Sequence, residues 1–167
     1  MKDSKSLLED AYDLCQEGEY TLALEYYDLV LFKDPKNLMA LIDKGVTLQN
    51  LGKYRQAIKC YNEALSLDPT NKTILLVNKG SALHSIAKYH DAIDCYDAAL
   101  TIDSKYAMAI AYKGLALGEL GMLKQAIKCF NDALRIDKKY DIALNNKAIA
   151  LQLRKANDKP KPKLQKP

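Results

Sequence analysis

Apolar residues recur along the chain at spacings of three and four, which is the period of an amphipathic helix. One such run passes through Leu41, Gly45 and Leu48, and a second run follows it through Ala57 and Tyr61. No stretch alternates between apolar and polar residues as a half-buried strand would. The pattern therefore predicts pairs of amphipathic helices in an all-α protein.

This pair of helices recurs along the chain. Gly45, Gly80 and Gly114 are separated by 35 and 34 residues, and the small and aromatic residues around them recur in step. Such self-similarity is the signature of a repeat architecture. The predicted organisation is four two-helix units, a closing helix and a disordered, basic, proline-rich tail: 4–37, 38–71, 73–106, 107–140, then 141–156 and 157–167.

Helix ends are marked by residues with a known local preference. Pro35 and Pro69 should end the second helices of the first two units, and Asn37 and Asn71 stand where an N-cap belongs. Within each unit a left-handed turn residue is expected between the two helices. These predicted turn residues are Gly18, Gly52, Ala87 and Gly121.

The order Gly-x-x-Leu, Gly-x-Tyr, Ala, Tyr/Phe, Ala-Leu and Asp-Pro at a period of 34 residues resembles the tetratricopeptide repeat family. The resemblance covers residues 4–140, and 141–156 is similar to the helix that closes such arrays. It implies an α-α superhelix, a solenoid of helix-turn-helix repeats whose first helices line a concave groove. It also implies a non-catalytic protein–protein interaction module.

The positions that face the groove in this family are mostly apolar here. Large exposed apolar patches mark interaction sites, and Met and Tyr suit adaptable and strong contacts. We expect the groove to bind an apolar or amphipathic peptide or helix; an open alternative is that much of this strip is core between adjacent first helices. The predicted groove residues are Leu8, Tyr12, Met39, Ile42, Val46, Ile74, Val77, Asn78, Met108, Tyr112, Leu115 and Ile149.

A known ligand mode of the family is a carboxylate clamp for chaperone C-termini. It is built from a Lys and an Asn of one unit, an Asn of the next unit, and a Lys and an Arg of a third. The same positions hold Leu8, Tyr12, Asp43, Ile74 and Asn78, and a register one unit later keeps only Asn78 as a match. Without the cations, a desolvated carboxylate would be uncompensated. Chaperone carboxylate-tail binding is therefore disfavoured.

The amino-acid composition bears on whether the protein is folded, membrane-bound or secreted. The 167 residues are 49% hydrophobic and 28% charged, as in folded proteins, with no apolar run of membrane-spanning length. Charges interrupt the first residues where a signal peptide is apolar, and four Cys are few for a disulfide scaffold. These features predict a cytoplasmic protein without a membrane partner.

The net charge of +4 belongs to the end of the chain. Six basic residues and one acid lie from Arg154 onward, so the body is close to neutral. A nucleic-acid surface normally shows as a basic stripe on the folded part. We therefore expect no nucleic-acid partner, and we interpret the tail as a solubilising end or linker, with weak contact to an anionic surface as the alternative.

Candidate chemical groups are sparse. Cys60, Cys95 and Cys129 occupy one position of successive units and are expected to pack rather than bind metal. His84 and His90 need not converge on one site, so no catalytic residue, metal or cofactor is predicted. A lysine that recurs once per unit indicates a solvated face paired with nearby acids such as Asp43, Glu63, Asp94 and Asp97.

Two alternatives to a groove-binding module remain open. The closing helix keeps Ile142, Ile149, Leu151 and Leu153, so the chain could self-associate as a homodimer through this helix or the groove. An enzyme or a nucleic-acid binder is the alternative from another class. The partner itself cannot be read from the residues.

Overall fold

The computed structural model describes residues 3–67 and 72–157. This part of the chain is all-α and contains no strand, so the predicted fold class of helical repeats is confirmed. The chain divides into two compact units, Met1–Ser104 (unit 1) and Lys105–Pro167 (unit 2). The helices are α1 Ser4–Glu17, α2 Tyr20–Lys33, α3 Leu38–Asn50, α4 Tyr54–Leu67, α5 Lys72–Ser85, α6 Tyr89–Ile102, α7 Ala107–Glu119, α8 Leu123–Ile136 and α9 Asp141–Asn157.

Helix ends follow the local chemistry of the sequence. The Asp3 side chain accepts a hydrogen bond from the Ser6 amide at 2.8 Å and caps α1. Asn37 accepts from the Ala40 amide at 3.1 Å, so the predicted N-cap of α3 is confirmed. The predicted stop at Pro69, the cap at Asn71 and the tail beyond 157 lie outside the described residues.

The turn inside each helix pair is left-handed, as predicted. At the first turn the Glu19 amide donates to the Leu14 carbonyl at 2.8 Å, which closes the end of α1. Ala87 is the one non-glycine residue among those described that has this conformation. The four φ angles are 84° at Gly18, 71° at Gly52, 59° at Ala87 and 72° at Gly121.

Unit 1 holds three helical hairpins, α1–α2, α3–α4 and α5–α6, and successive hairpins pack through α2 on α3 and α4 on α5. Small residues let the two helices of a hairpin approach closely. A Cβ atom added at Gly45 would lie 2.6 Å from Cε1 of Tyr61, whose ring is fully buried. The first hairpin has Ala11 at the equivalent place, buried beside Tyr27.

Unit 2 contains the hairpin α7–α8, and α9 packs against both of these helices. Phe130 fills the position that the tyrosines hold in unit 1, and it is 2% exposed. A Cβ at Gly114 would lie 2.7 Å from its Cε1 atom. The helix α9 extends one residue beyond the predicted closing helix, to Asn157.

Candidate functional site

The first helices of unit 1 expose apolar side chains on one side. Tyr12 on α1 is 58% exposed, Met39 on α3 is 59% exposed, and Ile74 on α5 is 51% exposed. Val46, two turns after Met39, is exposed as well, while Leu8 and Ile42 are half-buried. Large apolar side chains at this exposure are a feature of contact surfaces rather than of a solvated helix face.

Two cavities lie between α1 and α3. The first, of about 260 Å³, is lined mainly by Leu8, Tyr12 and Met39. The second, of about 370 Å³, includes Tyr12 and Val46 among its lining residues. Tyr12 and Asp43 line both cavities, so the two adjoin. Four predicted groove residues are thus brought together, and we call them, with Asp43, the α1–α3 surface.

The α1–α3 surface is acidic as well as apolar. Glu9, Asp13 and Asp43 line the first cavity. Glu9 contacts Lys5 at 3.9 Å in an exposed pair, whereas Asp13 and Asp43 form no ion pair among the described residues. Burial raises the pKa of the Asp43 carboxyl above its usual value. The half-buried Asp43 carboxyl therefore has no cation beside it among the described residues.

A chain of hydrogen bonds fixes the floor of the second cavity. The Thr47 hydroxyl donates to the Asp43 carbonyl at 2.8 Å. Its single proton is thus used, so the Cys15 thiol, 3.3 Å from the Thr47 oxygen, is the donor in their contact. The Tyr27 hydroxyl, 3.8 Å away, then donates to the sulfur. The network joins α1, α2 and α3, and the sequence pattern gave no sign of it.

One predicted groove residue is buried. Val77 on α5 is 1% exposed and belongs to the core, so it cannot contact a partner in this structure. It follows Leu75, which is fully buried, and precedes Asn78, which is half-buried. The reason is that neighbouring helical positions differ by about 100° in direction, so an assignment by repeat position is accurate only near the centre of a face.

The predicted groove residues of unit 2 form a smaller apolar site. Met108 is 36% exposed and Ile149 is 53% exposed, whereas Tyr112 and Leu115 are half-buried. Leu115 and Ile149 line a cavity of about 190 Å³ between α7 and α9, with Phe130 among the other lining residues. Two polar residues, Glu119 and Asn146, line the same cavity.

The remaining candidate groups pack among other side chains or face solvent. Cys60 and Cys95 are free and buried, and burial raises the pKa of each thiol. His84 lies edge-on to the Tyr89 ring at 5.2 Å, and His90 is exposed. Within residues 3–67 and 72–157, no three His, Cys, Asp or Glu side chains are grouped as metal ligands.

Lys44, the recurring lysine of the second unit, has a different partner from the predicted ones. Lys44 on α3 pairs with Asp28 on α2, which belongs to the preceding hairpin, rather than with Asp43 or Glu63. The pair therefore lies between hairpins instead of within one. None of the helices in the described part of the chain has the length and apolar character needed to cross a bilayer.

Family models for the tetratricopeptide repeat match residues 39–71, 75–106 and 113–140, which together are more than half of the chain. The chain belongs to the tetratricopeptide repeat family. The matched segments cover most of the hairpins α3–α4 and α5–α6, and the second half of α7 together with α8. As a tetratricopeptide repeat protein, it is a protein-interaction module.

Known tetratricopeptide repeat proteins resemble the chain over different lengths. The probable glycosyltransferase SPINDLY of Hordeum vulgare is 37% identical over 75 residues, 45% of this chain but 8% of that protein. A crystal structure of MamA is 25% identical with a TM-score of 0.78, covering 89% of this chain and 86% of MamA. The first repeat domain of Spaghetti (RPAP3), bound to the HSP90 peptide SRMEEVD, is 27% identical with a TM-score of 0.67, covering 73% and 96%.

Proposed function

We propose that the chain binds an amphipathic segment of a partner protein on the α1–α3 surface, without catalysis. Apolar side chains of the segment would cover Tyr12, Met39 and Val46, and a lysine or arginine would lie beside Asp43. The observation that carries the proposal is the pair of adjoining cavities lined by exposed apolar residues and unpaired carboxylates. Apolar anchors around a charge-complementary contact are the usual basis of peptide recognition by helical grooves.

The charge of the surface argues against an acidic peptide. The HSP90 peptide bound by the Spaghetti domain, SRMEEVD, carries three acidic residues. On this chain such a peptide would meet Asp13 and Asp43, and burying like charges together costs free energy. The predicted preference against chaperone carboxylate tails is thus kept as part of the proposal.

The hydrogen-bonded groups support a binding role rather than a chemical one. Cys15 is the only thiol that lines the second cavity within the described residues, and it donates its proton to Thr47. A nucleophilic cysteine needs its thiolate form, which a neighbouring base or cation stabilises. The chain of donors ends on a backbone carbonyl, which cannot act as that base.

We include the unit 2 residues Met108, Tyr112, Leu115 and Ile149 as a second contact for the same class of partner. Leu115 and Ile149 line the cavity of about 190 Å³, which holds one or two side chains rather than a whole segment. Ile74 and Asn78 on α5 complete the proposed set on unit 1. Val77 is left out because it is buried.

A displayed library of peptides of about 15 residues, selected on the full chain, tests the proposal. We expect the enriched sequences to carry apolar residues at i, i+3 or i+4, and i+7, together with a lysine or arginine. Met39→Glu should weaken the binding of these peptides at least ~10-fold, because it replaces an apolar contact with a charge. Met122→Glu is the matched control, since Met122 is 41% exposed and lines none of the three cavities.

Three outcomes would contradict the proposal. No enrichment over an unrelated protein would mean that the surface does not bind peptides. Enrichment of acidic peptides would overturn the assigned charge preference. Equal binding to the wild-type chain and the Met39→Glu variant would place the peptide on another surface.

A further inference from the structure

The last helix carries an apolar stripe that its own unit does not cover. Asp141, Leu144, Ala148, Leu151 and Lys155 follow one another at spacings of three and four, so they lie along one side of α9. Leu144 is 44% exposed, Ala148 is exposed and Leu151 is half-buried. The residues of α9 that pack into unit 2 are others, Ala143 and Ala150.

The first hairpin shows what such a stripe is shaped to contact. Leu7, Ala11 and Leu14 of α1 hold the same repeat positions as Leu144, Ala148 and Leu151. There α2 packs against α1, and Leu7 and Ala11 are 6% and 0% exposed. The side of α9 that matches a hairpin contact is thus open, and among the described residues no helix follows to cover it.

Residues 158–167 lie outside the described part of the chain. Their prolines at 160, 162 and 167 predict no helix there, because proline lacks the amide that an α-helix needs in its interior. The charges on α9 indicate which helix covers the stripe.

We propose that this stripe binds the same stripe of a second copy, with the two α9 helices antiparallel and Ala148 of each at the crossing point. Antiparallel pairing places Leu144 of one copy on Leu151 of the other, and Asp141 beside Lys155 at both ends. Parallel pairing would place Asp141 on Asp141 and Lys155 on Lys155. Because neither charge has an ion-pair partner among the described residues, both are available for this contact.

The central alanine has a defined role in this arrangement. A small residue at a two-fold crossing lets the helix backbones approach closely, and a homodimer interface of this kind is self-complementary. The contact is independent of the α1–α3 surface on unit 1. Stable interfaces bury about 1,200–2,000 Å² in total, and a stripe with three apolar residues on each copy buries less. We expect a weak dimer, with a dissociation constant of about 10–1,000 μM.

Sedimentation velocity of the full chain from about 1 μM to 1 mM tests the proposal, and we expect the weight-average mass to rise with concentration. Leu144→Glu should raise the dissociation constant at least ~10-fold, because it buries a charge in the apolar contact. Leu153→Glu is the matched control: Leu153 is 50% exposed on the same helix, about two and a half turns after Leu144 and so on its opposite side.

Charge exchange tests the antiparallel orientation. Asp141→Lys alone and Lys155→Asp alone should each weaken the dimer about fivefold, and the double exchange should restore it, because the pair is then reversed at both ends. The double variant also controls for any effect of residue 141 on helix stability.

A monomer throughout the concentration range overturns the proposal, as does a dimer equally sensitive to both Leu→Glu variants. Failure of the double exchange to restore the dimer overturns the antiparallel pairing. Circular dichroism of each variant confirms that α9 is still helical, so that loss of the dimer is not loss of the fold.

Discussion

The close approach of helices within a hairpin can be tested at two glycines of α7. Gly114 faces Phe130, and a Cβ atom there would lie 2.7 Å from the ring and 3.1 Å from Cβ of Cys129. Carbon atoms in contact normally lie about 3.5–4.0 Å apart, so the ring would have to move by about 1 Å. Phe130 is 2% exposed and has little room to do so.

The Gly114→Ala variant therefore combines two opposing effects. Overpacking of a tight core lowers the free energy of unfolding by about 1–3 kcal/mol, and the helix preference of alanine over glycine raises it by about 1 kcal/mol. We expect a net fall in the free energy of unfolding of about 1–2 kcal/mol. Urea denaturation followed by far-ultraviolet circular dichroism measures it, with an unchanged m-value confirming that the same surface unfolds.

Gly118→Ala is the control, one turn along the same helix. A Cβ atom at Gly118 meets nothing within 4 Å, so only the helix preference acts and the variant should be stabilised by up to about 1 kcal/mol. Because both glycines lie on α7, the two variants report on the unfolding of the same part of the protein. If the two variants shift the urea midpoint in the same direction, the close-packing explanation of the hairpin is wrong.

Two further predictions follow from the turns and the buried phenols. Ala87→Gly should raise the free energy of unfolding by about 1 kcal/mol and Gly52→Ala should lower it similarly, because both positions are left-handed; urea denaturation checks both. Burial raises the pKa of Tyr140 to about 12, so stability is complete below the unfolded pKa near 10 and falls as the pH rises through 12. Tyr140→Phe should reduce that alkaline loss in urea titrations at several pH values, and an unchanged loss would contradict the assignment.

The hairpins could be predicted because the same hairpin pattern recurs several times in the sequence. Gly45 and Gly80 stand opposite Tyr61 and Tyr96, and the structure places both tyrosines over them. Repetition averages out the ambiguity of a single amphipathic pattern, and small residues opposite large ones define which sides meet. Ala87 shows the strength of this reasoning, since its left-handed turn follows from its alignment with glycines.

Side-chain partners between helices were beyond prediction. Lys44 pairs with Asp28 from the preceding hairpin, and the Tyr61 hydroxyl donates to Gln49 at 2.5 Å. Such contacts depend on side-chain reach and on the angle between helices, neither of which has a period in the sequence. The chain from Tyr27 to Thr47 was missed for the same reason.

The exposure of the predicted groove residues depends on their distance from the centre of a helix face. Met39 and Tyr12 are exposed as expected, whereas Val77, at the edge between groove and core, is buried. The pattern also describes apolarity better than charge. The pattern places Asp43 at one of the clamp positions, but it does not show how far the carboxyl is buried or whether a cation lies beside it. In the structure this carboxyl is half-buried and has no ion-pair partner among the described residues. That is the main argument for a basic partner.

The two proposed contacts, the α1–α3 surface and the stripe on α9, are both open sides of first helices. They lie on different helices, so they can be tested separately. A first helix inside the array has one side against its own second helix, one against the preceding hairpin and one open; α3 meets α4 and α2 in this way. In α9 the side equivalent to the α4 contact is open as well, because the described part of the chain has no second helix for it. Peptide binding should therefore respond to Met39→Glu and dimerisation to Leu144→Glu, each without effect on the other. The double variant should lose both functions and remain folded, because both side chains are exposed.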